Sequence, residues 1–152
     1  MEMKPVLLFV HVLSVVVWVG GMFFAYVCLR PVAAAQLPPP LRLPLWRGVF
    51  DLFLNWVWVA VALILASGLA MMLQVGFKQA PVFWHIMFLF GLMMMLIFAH
   101  VYFAPYRRLR RACDAQDWPS GGAALGQIRK LVGLNLSIGL VTIAVATLGR
   151  LL

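Results

Sequence analysis

Three histidines, His11, His85 and His100, are the side chains of this sequence best suited to chemistry. Each lies within or at the edge of a long apolar segment, and ionisable groups inside membrane-spanning segments are costly and are therefore candidates for function. Imidazole binds copper and other transition metals, and two imidazoles can bind a haem iron from opposite faces. His11 and His85 are therefore candidate ligands of a metal ion or of a haem.

The segment HVLSVVVWVGGMFF, which begins at His11, contains further candidate residues. Trp18 and Met22 follow His11 by seven and eleven residues, so the three side chains share one stripe of a helix. Gly20 and Gly21 remove side-chain bulk beside this stripe, which permits either close helix contact or space for a flat cofactor. The predicted cofactor-binding residues are His11, His85, Trp18, Gly20 and Gly21, with His100 and Met22 as weaker metal ligands.

The composition indicates which elements must position these residues. Hydrophobic residues make up 65% of the 152 residues and the mean hydropathy is +1.02, whereas a soluble domain contains about 45–50% apolar residues. The sequence predicts an all-α fold, an integral membrane four-helix bundle that forms one domain over residues 1–152. The spans are expected at about 6–29, 49–74, 82–106 and 128–148, with a helical hairpin at about 107–127. The proline-rich first loop is expected to be extended, with at most a short helix before the second span.

The basic residues predict how the bundle is oriented. Nine of the twelve lysines and arginines lie in the first and third loops, and three lie near the termini or in the second loop. The positive-inside rule therefore predicts that these two loops are cytoplasmic and that both termini face the outer, periplasmic side of a bacterial inner membrane. Because the basic residues flank apolar spans, the net charge of +8 does not indicate nucleic-acid binding. Anionic lipid contact is expected at Arg107, Arg108, Arg110 and Arg111.

This orientation places His11 and His85 at similar depths, a few residues into the first and third spans from the outer side. His100 follows His85 by fifteen residues, or about 22 Å along a helix, so it cannot share a site with the other two. We expect one broad face of the third span to form an apolar wall of the kind that a porphyrin needs. That face carries His85, Leu89, Leu92, Leu96 and Phe103.

The other polar and sulfur-containing residues are expected to be structural. Met93, Met94 and Met95 are consecutive and therefore point in three directions, which favours packing over a shared copper site. We expect Asp51 to form an ion pair beside the arginine-rich loops, and Asn55 and Asn135 to form interhelical hydrogen bonds. No structural disulfide is expected between Cys28 and Cys113, which lie near the basic, cytoplasmic side.

The segment HVLSVVVWVGGMFF resembles the CopD-like superfamily of small four-span membrane proteins. This superfamily includes the copper-resistance protein D domain and the HemJ-type protoporphyrinogen oxidases, and the resemblance covers nearly the whole chain. The Arg30-Pro31 and Ser67-Gly68 steps look like the copper-resistance branch, whereas FWHIM, at residues 83–87, looks like the HemJ pattern, with Met87 in place of its lysine. The shared residues are His11, Trp18, Gly20 and Gly21.

Three functions are consistent with these observations. The first is a haem b protein with His11 and His85 as axial ligands, which transfers single electrons or oxidises a small or tetrapyrrole substrate as a membrane oxidoreductase. The second is a copper-binding or copper-transport protein that uses His11, His85 and nearby methionines. The third is a cofactor-free accessory subunit of a larger membrane complex. A homo-oligomer or a redox partner is compatible with the first two.

Overall fold

A computed structural model of the chain describes residues 3–151, and within them the secondary structure is entirely helical. The helices are α1 (Met3–Phe23), α2 (Arg30–Gln36), α3 (Pro39–Val75), α4 (Val82–Phe103), α5 (Pro105–Asp114) and α6 (Trp118–Leu148). A π-helical turn, Phe24–Leu29, joins α1 to α2, and a short 3-10 helix, Gly149–Leu151, follows α6. Four helical segments are long and apolar enough to cross a membrane: Lys4–Gln36, Pro39–Val75, Val82–Asp114 and Trp118–Leu148. These segments confirm the predicted all-α fold.

The first loop is much shorter than the sequence suggests. We expected an extended proline-rich connection, but only residues 37 and 38 separate α2 from α3. Pro39 and Pro40 occupy the first turn of α3, where the missing backbone N–H has no helical partner to lose and the fixed φ angle favours the helix. The expectation was wrong because these prolines begin a helix rather than interrupt one.

The third loop contains the predicted helical hairpin, but its break lies earlier than expected. The predicted break was at Pro119–Gly122, whereas α5 ends at Asp114 and α6 begins at Trp118. Gln116 has a φ angle of 54° in the connecting turn, and the Asp117 carboxylate accepts a hydrogen bond from the Ser120 backbone N–H at 3.1 Å. Asp117 therefore caps α6, and Pro119 again falls in the first helical turn.

The bundle is built from helix pairs, with α1 against α3 and with α4 and α5 against α6. The most completely buried side chains include Leu43, Leu109 and Ile128, which lie towards the end of the bundle that carries the first and third connections. Large apolar side chains also cover the outside, where Leu52 and Leu96 are each 72% exposed. An apolar exterior of this kind suits contact with lipid chains rather than water.

Candidate functional site

His11 lies between α1 and α3, where its Nδ1 atom is 2.9 Å from the Ser67 hydroxyl oxygen. That hydroxyl has one proton, which it donates to the carbonyl oxygens of Leu63 at 2.5 Å and Ile64 at 3.2 Å. These two bonds favour the tautomer in which His11 donates from Nδ1 to the Ser67 oxygen. In that tautomer the Nε2 atom of His11 carries a lone pair rather than a proton.

Gly68 allows the imidazole to lie this close to α3. A methyl group at this position would lie 3.2 Å from Cε1 of His11, which is closer than ordinary side-chain contact, and 3.6 Å from Nδ1. The Ser67-Gly68 step thus supplies both the hydrogen-bond acceptor for His11 and the space for its ring. The Ser67-Gly68 step was noticed in the sequence only for its family resemblance, and its contact with His11 was not predicted. Depth in the membrane could have indicated this contact, because His11 and the Ser67-Gly68 step each lie a few residues from the same end of their spans.

The stripe that follows His11 along α1 faces the interior of the bundle. Ser14 is 5% exposed, and Trp18 and Met22 are each 3% exposed, so the stripe that the helical period indicates is buried. The Trp18 ring packs edge-on against Phe98 of α4 at a centroid distance of 6.0 Å. Trp18, Met22 and Asn135 line a small interior cavity of about 30 Å³. The proposed roles of these residues in binding a cofactor stay predictions.

The two adjacent glycines of α1 have different surroundings. A methyl group at Gly21 would lie 2.3 Å from Cε2 and 2.5 Å from Cζ of Phe53, so the ring of Phe53 already fills the space beside this glycine. Gly20 is exposed and a methyl group there would meet nothing within 4 Å. Of the two uses left open for this pair, Gly21 serves close packing of α1 on α3.

The third-span candidates lie on the outside of the bundle. His85 and His100 are both exposed, whereas the buried side of α4 carries Met94, Phe98 and Val101. The face expected to form a porphyrin wall lies on the outside of the bundle, because all five of its residues are exposed: His85, Leu89, Leu92, Leu96 and Phe103. Its role in binding a porphyrin stays a prediction. In lipid both sides of a helix can be apolar, so hydrophobicity did not separate the core side of α4 from its lipid side.

The consecutive methionines of α4 point in different directions, as their helical spacing predicts. Met94 is buried at 4% exposure whereas its neighbour Met93 is 39% exposed, so the run does not converge on one point. Cys28 and Cys113 are free thiols. Within residues 3–151, no group of three or more histidine, cysteine, aspartate or glutamate side chains is placed to hold a metal ion.

The polar residues near the first and third connections form a structural network. Asp51 makes the predicted ion pairs, at 3.8 Å to Arg47 and 3.7 Å to Arg110. It also accepts a hydrogen bond from the buried Tyr106 hydroxyl, a partner that the sequence did not suggest. Arg47 further pairs with Asp114, so the network joins α3 to α5. The arginines of the 107–111 cluster are exposed, as contact with anionic lipid would require.

Only one of the two asparagines makes the predicted interhelical bond. Asn135 of α6 donates to the Met94 carbonyl oxygen of α4 at 3.3 Å, which confirms that prediction. Asn55 instead donates to the Asp51 carbonyl oxygen of its own helix at 2.7 Å, and its side chain is exposed. The Asn55 prediction was wrong because a backbone carbonyl four residues earlier on the same helix was within reach.

The fold defines a small multi-pass membrane protein whose four apolar helical segments enclose one histidine hydrogen-bonded between two helices. The chain belongs to the family described as Copper resistance protein D, whose family model matches residues 47–148. The matched region includes Ser67 and Gly68 but begins after His11 and Trp18. No curated protein matches the chain, and no solved structure does.

Proposed function

We propose that this protein binds copper and passes it along the interior of the bundle, with His11 as the first ligand. The observation that carries the proposal is the hydrogen bond from His11 to Ser67, which leaves the ring lone pair on Nε2. Metal-binding histidines commonly donate their second ring N–H to a fixed acceptor, which sets the tautomer and orients the ring. Imidazole nitrogen and thioether sulfur both suit copper, and thioethers suit Cu(I) in particular. The family of the chain supports copper as the cargo.

The next soft donor on the buried stripe is Met22, eleven residues or about 16 Å further along α1. This separation is too large for one shared site, so the two side chains would act in succession. Trp18 lies between them and borders the same small cavity as Met22, and its ring face can attract a cation. A cation moving along the interior stripe of α1 would therefore meet the His11 nitrogen, then the Trp18 ring and then the Met22 sulfur.

The test is Cu(I) binding by the purified full-length protein in competition with a chromophoric chelator. We expect His11→Ala to abolish the tightest site. Ser67→Ala keeps the ligand but loses the group that orients it, so we expect copper affinity to fall by about 10- to 100-fold. His100→Ala is the matched control, because it removes an exposed histidine from another span. Unchanged copper affinity in His11→Ala would refute the proposal.

The haem hypothesis fits the arrangement of these residues less well. A ligand cavity is typically about 300–1,000 Å³, whereas the cavity beside Trp18 and Met22 is about 30 Å³. His85 is exposed on α4, while His11 is bonded to α3. The same purified protein tests this hypothesis, because a Soret band with split α and β bands after reduction would favour haem. A colourless, copper-free protein that co-purifies with a partner would instead favour the accessory subunit.

We also propose that both termini face the periplasm and that the protein resides in the bacterial inner membrane. The excess of basic residues in the first and third connections supports this orientation. It would place the His11 end of α1 near the outer side. Cys28 is exposed near the opposite end of that span, so an impermeant maleimide added to intact spheroplasts should leave it unlabelled. A Lys4→Cys variant should be labelled, and the reverse pattern would refute the orientation.

A further inference from the structure

A larger cavity, of about 450 Å³, lies at the far end of α1 from His11. It is a partly open cavity bordered by the π-helical turn that follows α1, by the start of α3 and by the start of α6, through residues that include Tyr26, Leu43 and Leu125. Histidine, cysteine and methionine are absent from the described residues that line it. Its chemistry is therefore different from that of the proposed copper path.

Three arginines line this cavity: Arg30, Arg42 and Arg129. The Arg30 side chain donates to the Tyr26 carbonyl oxygen at 3.2 Å and lies 4.8 Å from the centre of the Tyr26 ring. Arg42 is 3.5 Å from the Ala34 carbonyl oxygen. These contacts are with neutral groups, so they leave the charge of the guanidinium groups uncompensated.

The aspartates of the described residues form ion pairs or cap a helix away from this cavity. Asp51 pairs with Arg47 and Arg110, and Asp114 pairs with Arg47. Asp117 caps α6. Within residues 3–151 no carboxylate lines the cavity, so three positive charges surround a space without a protein anion to balance them. A bound anion would gain charge-assisted hydrogen bonds from these groups, and guanidinium is well suited to phosphate.

The walls of the cavity are apolar and aromatic. Leu43 and Ile128 are 1% exposed, and Trp46 and Phe50 are 5% and 6% exposed. The rings of Trp46 and Phe50 pack against each other at a tilt of 30° and a centroid distance of 5.3 Å, and Trp118 lines the same cavity from the start of α6. A small inorganic anion would contact only the arginines, whereas an anion that carries a hydrocarbon chain would contact both the arginines and the apolar walls.

The π-helical turn positions the basic side of the cavity. Tyr26 lies in this turn and packs against Gly133 of α6, where a methyl group would lie 3.0 Å from its ring. Arg30 follows directly at the end of the turn and rests over the same ring. Because π-helical turns cost stability and are frequent at functional sites, this local widening of α1 is consistent with a ligand between α1 and α6.

We propose that this cavity binds an anionic phospholipid, with its phosphate among the three arginines and an acyl chain along the aromatic walls. Arg30, Arg42 and Arg129 flank apolar spans, so they lie at the depth where lipid phosphates are found. Basic pockets between membrane helices bind the head groups of anionic lipids. The two cavities share wall residues such as Phe50 and Ile128, but the three arginines lie outside the proposed copper path, so either proposal can fail without the other.

The experiment uses the full-length protein in phosphatidylcholine nanodiscs, with and without phosphatidylglycerol or cardiolipin, and counts retained lipids by native mass spectrometry. We expect selective retention of an anionic lipid. Arg42→Gln with Arg129→Gln should weaken this retention by about tenfold or more, because two charge-assisted contacts are lost. The matched control is Lys78→Gln with Lys130→Gln, which removes the same charge from exposed positions outside the cavity and outside the 107–111 cluster, and this variant should retain the lipid as the wild type does.

Two further measurements test whether a different anion is the ligand of this cavity. Inorganic phosphate added to the phosphatidylglycerol-containing nanodiscs should not displace the retained lipid, and protoporphyrin IX, an amphipathic dicarboxylate, should not bind in its place. Tighter binding of either probe than of phosphatidylglycerol would overturn the choice of a phospholipid. Equal lipid retention in both double variants, with circular dichroism showing that both are folded, would overturn the site itself.

Discussion

Replacement of Asn135 by leucine should stabilise this protein, although it removes an interhelical hydrogen bond. Asn135 is 3% exposed, and its Nδ2 group donates to the Met94 carbonyl oxygen at 3.3 Å. Its Oδ1 atom is buried and has no hydrogen-bond partner among the described residues. The substitution therefore removes one favourable contact and one unfavourable buried acceptor together.

The two contributions to the free energy of unfolding can be compared. Interhelical hydrogen bonds in membranes contribute about 0.6 kcal/mol on average, and the Asn135 bond is long. An unsatisfied buried acceptor costs about 1–3 kcal/mol. The neighbouring cavity of about 30 Å³ can receive the additional methyl volume of leucine. We expect Asn135→Leu to raise the free energy of unfolding by about 0.5–2 kcal/mol.

Steric trapping in bicelles measures this free energy directly. Asn135→Ala is the matched control, since it removes the same polar atoms but leaves their volume empty, and it should be less stable than the leucine variant. If Asn135→Leu lowers the free energy of unfolding by more than about 1 kcal/mol, the reasoning is refuted. That result would mean that Oδ1 has a favourable partner, such as a water molecule or a cation in the cavity.

Two further perturbations test the packing of α1 and the start of α6. Gly21→Ala should lower the thermal unfolding temperature, because the new methyl group would lie 2.3 Å from the Phe53 ring; Gly20→Ala should be neutral, and Phe53→Leu should relieve the Gly21→Ala defect. Hydrogen bonds from Ser120 lower the pKa of Asp117, so its stabilisation should be complete above the usual aspartate range and lost as the pH falls below about 4. The melting temperature of Asp117→Ala should fall less at acid pH than that of the wild type. An unchanged pH profile would contradict the role of Asp117 as a helix cap.

Local patterns predicted the parts of the fold that depend on local physics. A long apolar segment must be helical in lipid because its backbone groups have no other hydrogen-bond partners, so the four spans were accessible from hydropathy. The buried stripe of α1 could be predicted from the helical period, because Ser14, Trp18 and Met22 recur on one side of the helix. The ion pairs of Asp51 followed from its position beside arginine-rich segments.

The helix ends were harder to predict from the sequence, because proline has two opposite effects. Within a helix it removes a hydrogen bond, but in the first turn it costs nothing. Pro39 and Pro119 both occupy first turns, which placed the starts of α3 and α6 differently from the prediction. The local sequence alone did not distinguish these two uses of proline.

The amino-acid sequence was sufficient to establish a four-span membrane protein with a histidine on an interior stripe, since length, hydropathy and period are properties of each helix alone. The packing of the helices determined which side of α4 is buried, because its two sides are equally acceptable to lipid. Packing also gave His11 its partner Ser67, fifty-six residues away, and grouped Arg30, Arg42 and Arg129 around one cavity. These features depend on how helices distant in sequence pack together, so no local pattern could have revealed them.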